Sequence, residues 1–111
     1  MKQFLYLLLL AFLTCPYATL QAQDDYQKHM SLSYDEIDSL VMIPYQKGQY
    51  LQCISYMQAG REKAKKEFGD QDPSFAKYTS NLGFFQQSIG NYDQALPLLI
   101  QANSIDKKNT R

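Results

Sequence analysis

Tryptophan is absent from this 111-residue chain, histidine occurs once and cysteine twice, and neither sign of charge prevails, with eleven Lys and Arg against eleven Asp and Glu. Each shortage excludes something. A net charge of zero gives no electrostatic footprint for nucleic acid or for an anionic membrane surface. One histidine, no His-x-x-x-His pair and no Cys-x-x-Cys leave too few ligands for a metal centre. Glycine is scarce, at five, and no phosphate-cradling loop is present. A nucleophile and its base would have to be Cys53 and His29, far apart in sequence. The expectation is a protein that is not an enzyme, with no catalytic residue, no cofactor and no metal. Alternating runs bounded by turn residues are also missing, which excludes a sheet and leaves an all-α chain.

Long apolar runs are confined to one place. Met1-Lys2-Gln3 is a short positive start, Phe4 to Leu13 is apolar with five Leu between Leu5 and Leu10, and a polar stretch with Thr14, Pro16 and Thr19 follows, with small residues at Ala18 and Ala22. This three-part layout predicts a signal peptide over residues 1–22, cleaved after Ala22. The apolar run falls well short of the roughly 20 residues that span a bilayer. The protein is therefore expected to be secreted or to reside in the periplasm or cell envelope, meeting a membrane only through an uncleaved signal or a missing C-terminal region. Cys15 lies in this segment, with Thr14 and Phe12 where a lipoprotein signal needs a small residue and Leu. Cys53 then has no partner for an internal disulfide and reads as a buried thiol. Residues 23–32 read as a polar linker, with His29 solvated.

Four helices are predicted beyond it. Ser33 with Glu36 forms a capping box ahead of Ile37, Leu40, Val41 and Tyr45. Pro44 should kink this first helix near its end. The second helix runs from about Tyr50 to Phe68 on a face of Leu51, Ile54, Met57 and Ala64, with Gly69 as a left-handed cap. The third starts at Asp72-Pro73, carries Phe75, Tyr78, Leu82, Phe85 and Ile89 inward, and reaches Gly90. The fourth spans Tyr92 to Ile105. The acidic pair Asp35-Glu36 suits a first helical turn, and the run Arg61, Lys63, Lys65, Lys66 reads as a solvated face late in a helix.

The halves of this pattern align. Gly48-Gln49-Tyr50 meets Gly90-Asn91-Tyr92 at an offset of 42 residues, as do Leu40 with Leu82 and Lys65-Lys66 with Lys107-Lys108. Leu82-Gly83, Gly90, Tyr92, Ala95, Leu99 and Ala102 resemble the tetratricopeptide repeat, where Gly83 would let helices approach, Tyr92 would pack between them, and Ala95 and Ala102 would admit a crossing neighbour. The first unit keeps Leu40, Gly48 and Tyr50, with Cys53 for the small alanine and Val41 for the glycine. The period exceeds the usual ~34 and is similar to the long repeats of kinesin light chain and of exported bacterial arrays.

The resemblance implies two antiparallel helix-turn-helix units stacked as a short right-handed solenoid: a degenerate unit at 33–69, a second at 70–108, and a truncated tail at 109–111. It implies a protein–protein interaction scaffold that holds a protein or peptide ligand, with no nucleic-acid partner. Lys77, Asn81, Phe84 and Gln87 are the groove candidates, facing Asp35, Asp38, Met42 and Tyr45 of the first unit. Asn81 would hold the backbone of an extended ligand and Lys77 would meet a carboxylate. Two units are fewer than the roughly three usually needed for a stable stack, so the chain reads as the N-terminal part of a longer protein, with Leu98 and Ile105 covering a following neighbour, or as one that self-associates. The alternative is the sensory or regulatory arm of a downstream enzyme, a caspase-like protease or a histidine kinase.

Overall fold

The computed structural model describes residues 24–110, so the proposed signal segment lies outside it. The capping box at Ser33 closes as expected: the Glu36 N–H donates to the Ser33 hydroxyl at 3.2 Å and the Ser33 N–H to the Glu36 carboxylate at 2.7 Å. The helix it starts, α1 (Tyr34–Leu40), breaks at Val41 and resumes as α2 (Met42–Gln46). Pro44 accounts for the break, because it lacks the N–H that the Leu40 carbonyl would accept. The interruption therefore falls one turn ahead of the proline. Then come α3 (Tyr50–Phe68), α4 (Pro73–Ser88) and α5 (Tyr92–Asn109), and no strand occurs among the described residues. Asp72 caps α4 by accepting the Ser74 N–H at 2.8 Å. Beyond its expected end at Ile105, α5 gains a last turn whose carbonyls are tied by side chains, Asn109 donating to that of Ile105 and Thr110 to that of Asp106, while Asn109 also reaches the Gln71 carbonyl of the loop before α4.

Two turns have the same construction, 42 residues apart. Gly48 and Gly90 take φ of 71° and 87°. The next N–H reaches back to the carbonyl five residues earlier, Gln49 to Pro44 at 2.9 Å and Asn91 to Gln86 at 2.8 Å. Gln49 and Asn91 then enter their helices with ψ of 66° and 65°. Gly69 differs: its φ is positive but its ψ of 168° is extended, so it ends α3 without the left-handed helical cap expected there.

The core lies between α3, α4 and α5, with α4 packed along both neighbours. Ile37, Cys53, Met57, Phe75, Tyr78 and Ile105 are almost fully buried in it. Small residues set the helix spacing. A Cβ on Gly83 would stand 2.8 Å from the Leu99 side chain, and one on Gly60 would stand 2.6 Å from the Tyr78 ring. Ala95 and Ala102 are buried as anticipated.

Several side chains lie elsewhere than the sequence predicts. Leu51 and Tyr92 are 71% and 66% exposed. Leu51 falls one step off the buried stripe of Cys53, Ile54 and Met57, and Tyr92 begins α5 where α4 has already ended. Ile89 is at the rim, past the last turn of α4. Leu98 and Ile105 face the chain's own core rather than an outer neighbour, on the i, i+3, i+4, i+7 stripe of Ala95, Leu98, Leu99, Ala102 and Ile105.

Arg61 leaves the solvated face assigned to it. Its Nε donates to the buried Thr79 hydroxyl at 2.9 Å, its Nη2 to Gln101 at 3.0 Å, and its guanidinium lies 4.7 Å from the centre of the Phe75 ring. One side chain thereby ties α3 to α4 and α5. Burial lowers its pKa, but a guanidinium stays charged in proteins. Lys63 donates to the Leu32 carbonyl and covers the Tyr34 ring, whereas Lys65 and Lys66 remain exposed in the last turn of α3.

The stretch read as a polar linker is helical over residues 24–30. His29, expected in solvent, pairs through Nδ1 with the Ser55 hydroxyl at 2.8 Å and stacks on Tyr56 with ring centres 4.0 Å apart. Burial holds its pKa below 6.5, outweighing the nearby Asp25, while Lys28 adds to the depression. The packed state thus binds fewer protons than the unpacked one. This packing is fully in force above pH 6.5 and weakens as the pH falls through that value. In an NMR titration the His29 ring should show a midpoint below 6.5 that returns toward it in Tyr56→Ala. A midpoint at or above that value in the unaltered chain contradicts the packing described.

Candidate functional site

A groove of about 350 Å³ runs between α1–α2 and α4. Helical spacing builds both walls. Asp38, Met42 and Tyr45 recur along α1–α2, and Lys77, Asn81 and Phe84 along α4, each set on one face. Val41, Met57 and Phe85 floor the groove. Its aromatic end is a connected cluster: Phe85 has its ring centre 5.3 Å from Phe84, 6.0 Å from Tyr45 and 5.9 Å from Tyr50.

The other end is polar and already paired. Lys77 Nζ lies 2.6 Å from Asp38 Oδ2, and the Tyr78 hydroxyl donates to Asp38 Oδ1 at 2.9 Å. Both carboxylate oxygens are therefore engaged. Burial, reinforced by the Asp38 carboxylate, holds the Tyr78 hydroxyl protonated far above the ordinary tyrosine range. Lys77, expected to meet a ligand carboxylate, meets one of its own chain. The ion pair is exposed on both sides, so its contribution is small, but it marks where the two hairpins join. Between the two ends stands Asn81, half-buried. Nothing among the described residues hydrogen-bonds its carboxamide.

Three of the four predicted α4 residues thus come together with three from the first unit. Gln87 does not join them; it edges a second hollow with Tyr92 and Leu96. At 100° per residue it is turned roughly 80° from Lys77 around the helix. Asp35 stays in the first turn of α1 and does not line the groove. The floor residues were assigned to the core by their spacing, and nothing in sequence shows that a core face also surfaces in a groove.

Cys53 is fully buried, its sulfur against the Gln49 and Val41 carbonyls at 3.6 and 3.9 Å. Burial pushes its thiol pKa up, the opposite of what activates a nucleophile. Among the described residues, no three His, Cys, Asp or Glu side chains gather as a metal site, and no helix is long and apolar enough to cross a membrane.

Comparison with known protein families, with characterised proteins and with solved structures gives no match. Function has to be read from the groove itself. Its apolar walls offer surface to side chains, its one unpaired amide offers a donor and an acceptor, and its fixed charges neutralise each other.

Proposed function

We propose that this chain is a protein-interaction module, an exported pair of tetratricopeptide-like hairpins whose groove holds an extended segment of a partner protein. The observation that carries this reading is the unpaired Asn81 carboxamide, set between the polar and the aromatic end of the groove. A carboxamide carries both an NH2 donor and an acceptor oxygen, which matches the alternating C=O and N–H of an extended backbone. The carboxamide is open to solvent, so a ligand backbone can replace the water on it. The repetition of turn geometry at 42 residues, down to matching φ and ψ, supports the hairpin repeat. The layout of residues 1–22 supports export.

Peptides selected from a random display library supply the test. A selected peptide should bind the chain with about fivefold lower affinity after Asn81→Ala, as expected for a lost hydrogen bond of ~1 kcal/mol. Phe84→Ala should weaken it at least as much, while Lys77→Ala should change it little because Asp38 already holds that ammonium. Selected peptides that bind all three variants as tightly as the unaltered chain would place the ligand elsewhere.

A further inference from the structure

The 42-residue spacing relates more than the two turns. It also relates two apolar surfaces on different hairpins. Phe85 on α4 is seated against Tyr45 and Tyr50 of the preceding hairpin and keeps only 6% of its surface exposed. Its counterpart 42 residues earlier is Ile43 on α2, which is 55% exposed. On the receiving side, Tyr50 lies against Phe85 with ring centres 5.9 Å apart and Ile54 is 7% exposed, whereas their counterparts on α5, Tyr92 and Leu96, are 66% and 61% exposed. A hollow of about 390 Å³ opens beside Tyr92 and Leu96, floored by Ala95 and Leu99. The molecule therefore makes one joint between its hairpins and displays both halves of a like joint unfilled among the described residues.

We propose that a second copy of the chain completes it. In this arrangement α2 of one copy, led by Ile43, docks against Tyr92 and Leu96 on α5 of the next and continues the α3–α4 joint head to tail. The positions equivalent to Ile89 and Leu51 carry Lys47 and Asp93, opposite in sign, so these charges do not oppose the contact. The two surfaces differ, which makes the contact heterologous, so copies add head to tail rather than stopping at a dimer. The inference shares the 42-residue equivalence with the proposed function but does not use the groove, since neither Ile43 nor Leu96 lines it.

Sedimentation velocity of the purified chain across a wide concentration series tests it. The average mass should exceed the monomer and keep rising with concentration. Ile43→Asp and Leu96→Asp should each leave a folded monomer, with helical circular dichroism unchanged. An equimolar mixture of the two variants should form a heterodimer of twice the monomer mass and stop there, because each supplies the face the other lacks. An unaltered chain that stays monomeric throughout overturns the proposal. So does a mixture that pairs no better than its components, or a dimer lost in Leu96→Asp but untouched by Ile43→Asp. Binding of a groove-selected peptide to both variants distinguishes failure of this joint from failure of the groove.

Discussion

Tyr78→Ala is expected to be the most destabilising single change in the described chain, at about 3–5 kcal/mol, the range for removing a large buried aromatic. Its ring is 1% exposed and fills the space opposite Gly60, beside Tyr34 at a centroid distance of 6.0 Å. Its hydroxyl is the buried partner of Asp38, so α1 and α4 lose a connection as well as a packed ring. In a domain of this size each kcal/mol moves the melting temperature by roughly 4–8 °C. Tyr78→Phe separates the two contributions. It keeps the ring and removes only the hydrogen bond to a carboxylate, which is worth about 1.5–3 kcal/mol. Thermal unfolding followed by circular dichroism checks both, and a loss from Tyr78→Ala no larger than from Tyr78→Phe would show that the ring is not the keystone described.

Gly60→Val should cost about 3 kcal/mol. A Cβ at this position would stand 2.6 Å from two carbons of the Tyr78 ring and 3.0 Å from a third. The ring cannot swing aside freely, because its hydroxyl is held by Asp38 and its faces are enclosed. Overpacking of a tight core costs typically ~1–3 kcal/mol, and the two γ carbons of valine worsen the clash by more than the roughly few tenths of a kcal/mol that its helix propensity gains over glycine. Gly60→Ala is the sharper control. In an open helix it would stabilise by ~1 kcal/mol, whereas here it should destabilise, since the clash exceeds the gain in propensity. Chemical denaturation of both variants gives the sign directly, and a stabilised Gly60→Ala would mean that α3 and α4 stand further apart than described.

Tyr78 and Gly60 meet across two helices, a relation that no local sequence pattern records. The caps at Ser33 and Asp72, the glycine turns at 48 and 90 and the limits of α3 were legible because each depends on chemistry within a few residues. The groove was largely legible for the same reason, since Lys77, Asn81 and Phe84 share a face at i, i+4 and i+7 whatever they face. Contacts across helices were not. Gly60 sits at the position of Ala102 in the 42-residue alignment, a hint that both admit a close neighbour, but the neighbour itself is 18 residues away. Arg61 looked like one more member of a basic run, and its partners Thr79 and Gln101 are neutral and lie 18 and 40 residues on. No charge pattern could have paired them. The spacing of Lys77 places it in the groove, but the carboxylate it meets there is the chain's own Asp38, 39 residues earlier. The polarity of residues 24–30 indicated solvent and hid the stacking of His29 on Tyr56.

The measurement that bears most directly on the proposed function is an NMR map of where a library-selected peptide binds. Backbone and side-chain amide resonances should shift at Asp38, Met42 and Tyr45 and at Asn81 and Phe84, with the Asn81 side-chain amide moving most and Gln87 unmoved. Shifts gathered instead along the exposed faces of α3 or α5, with the Asn81 amide unchanged, would contradict the assignment of the groove as the binding site.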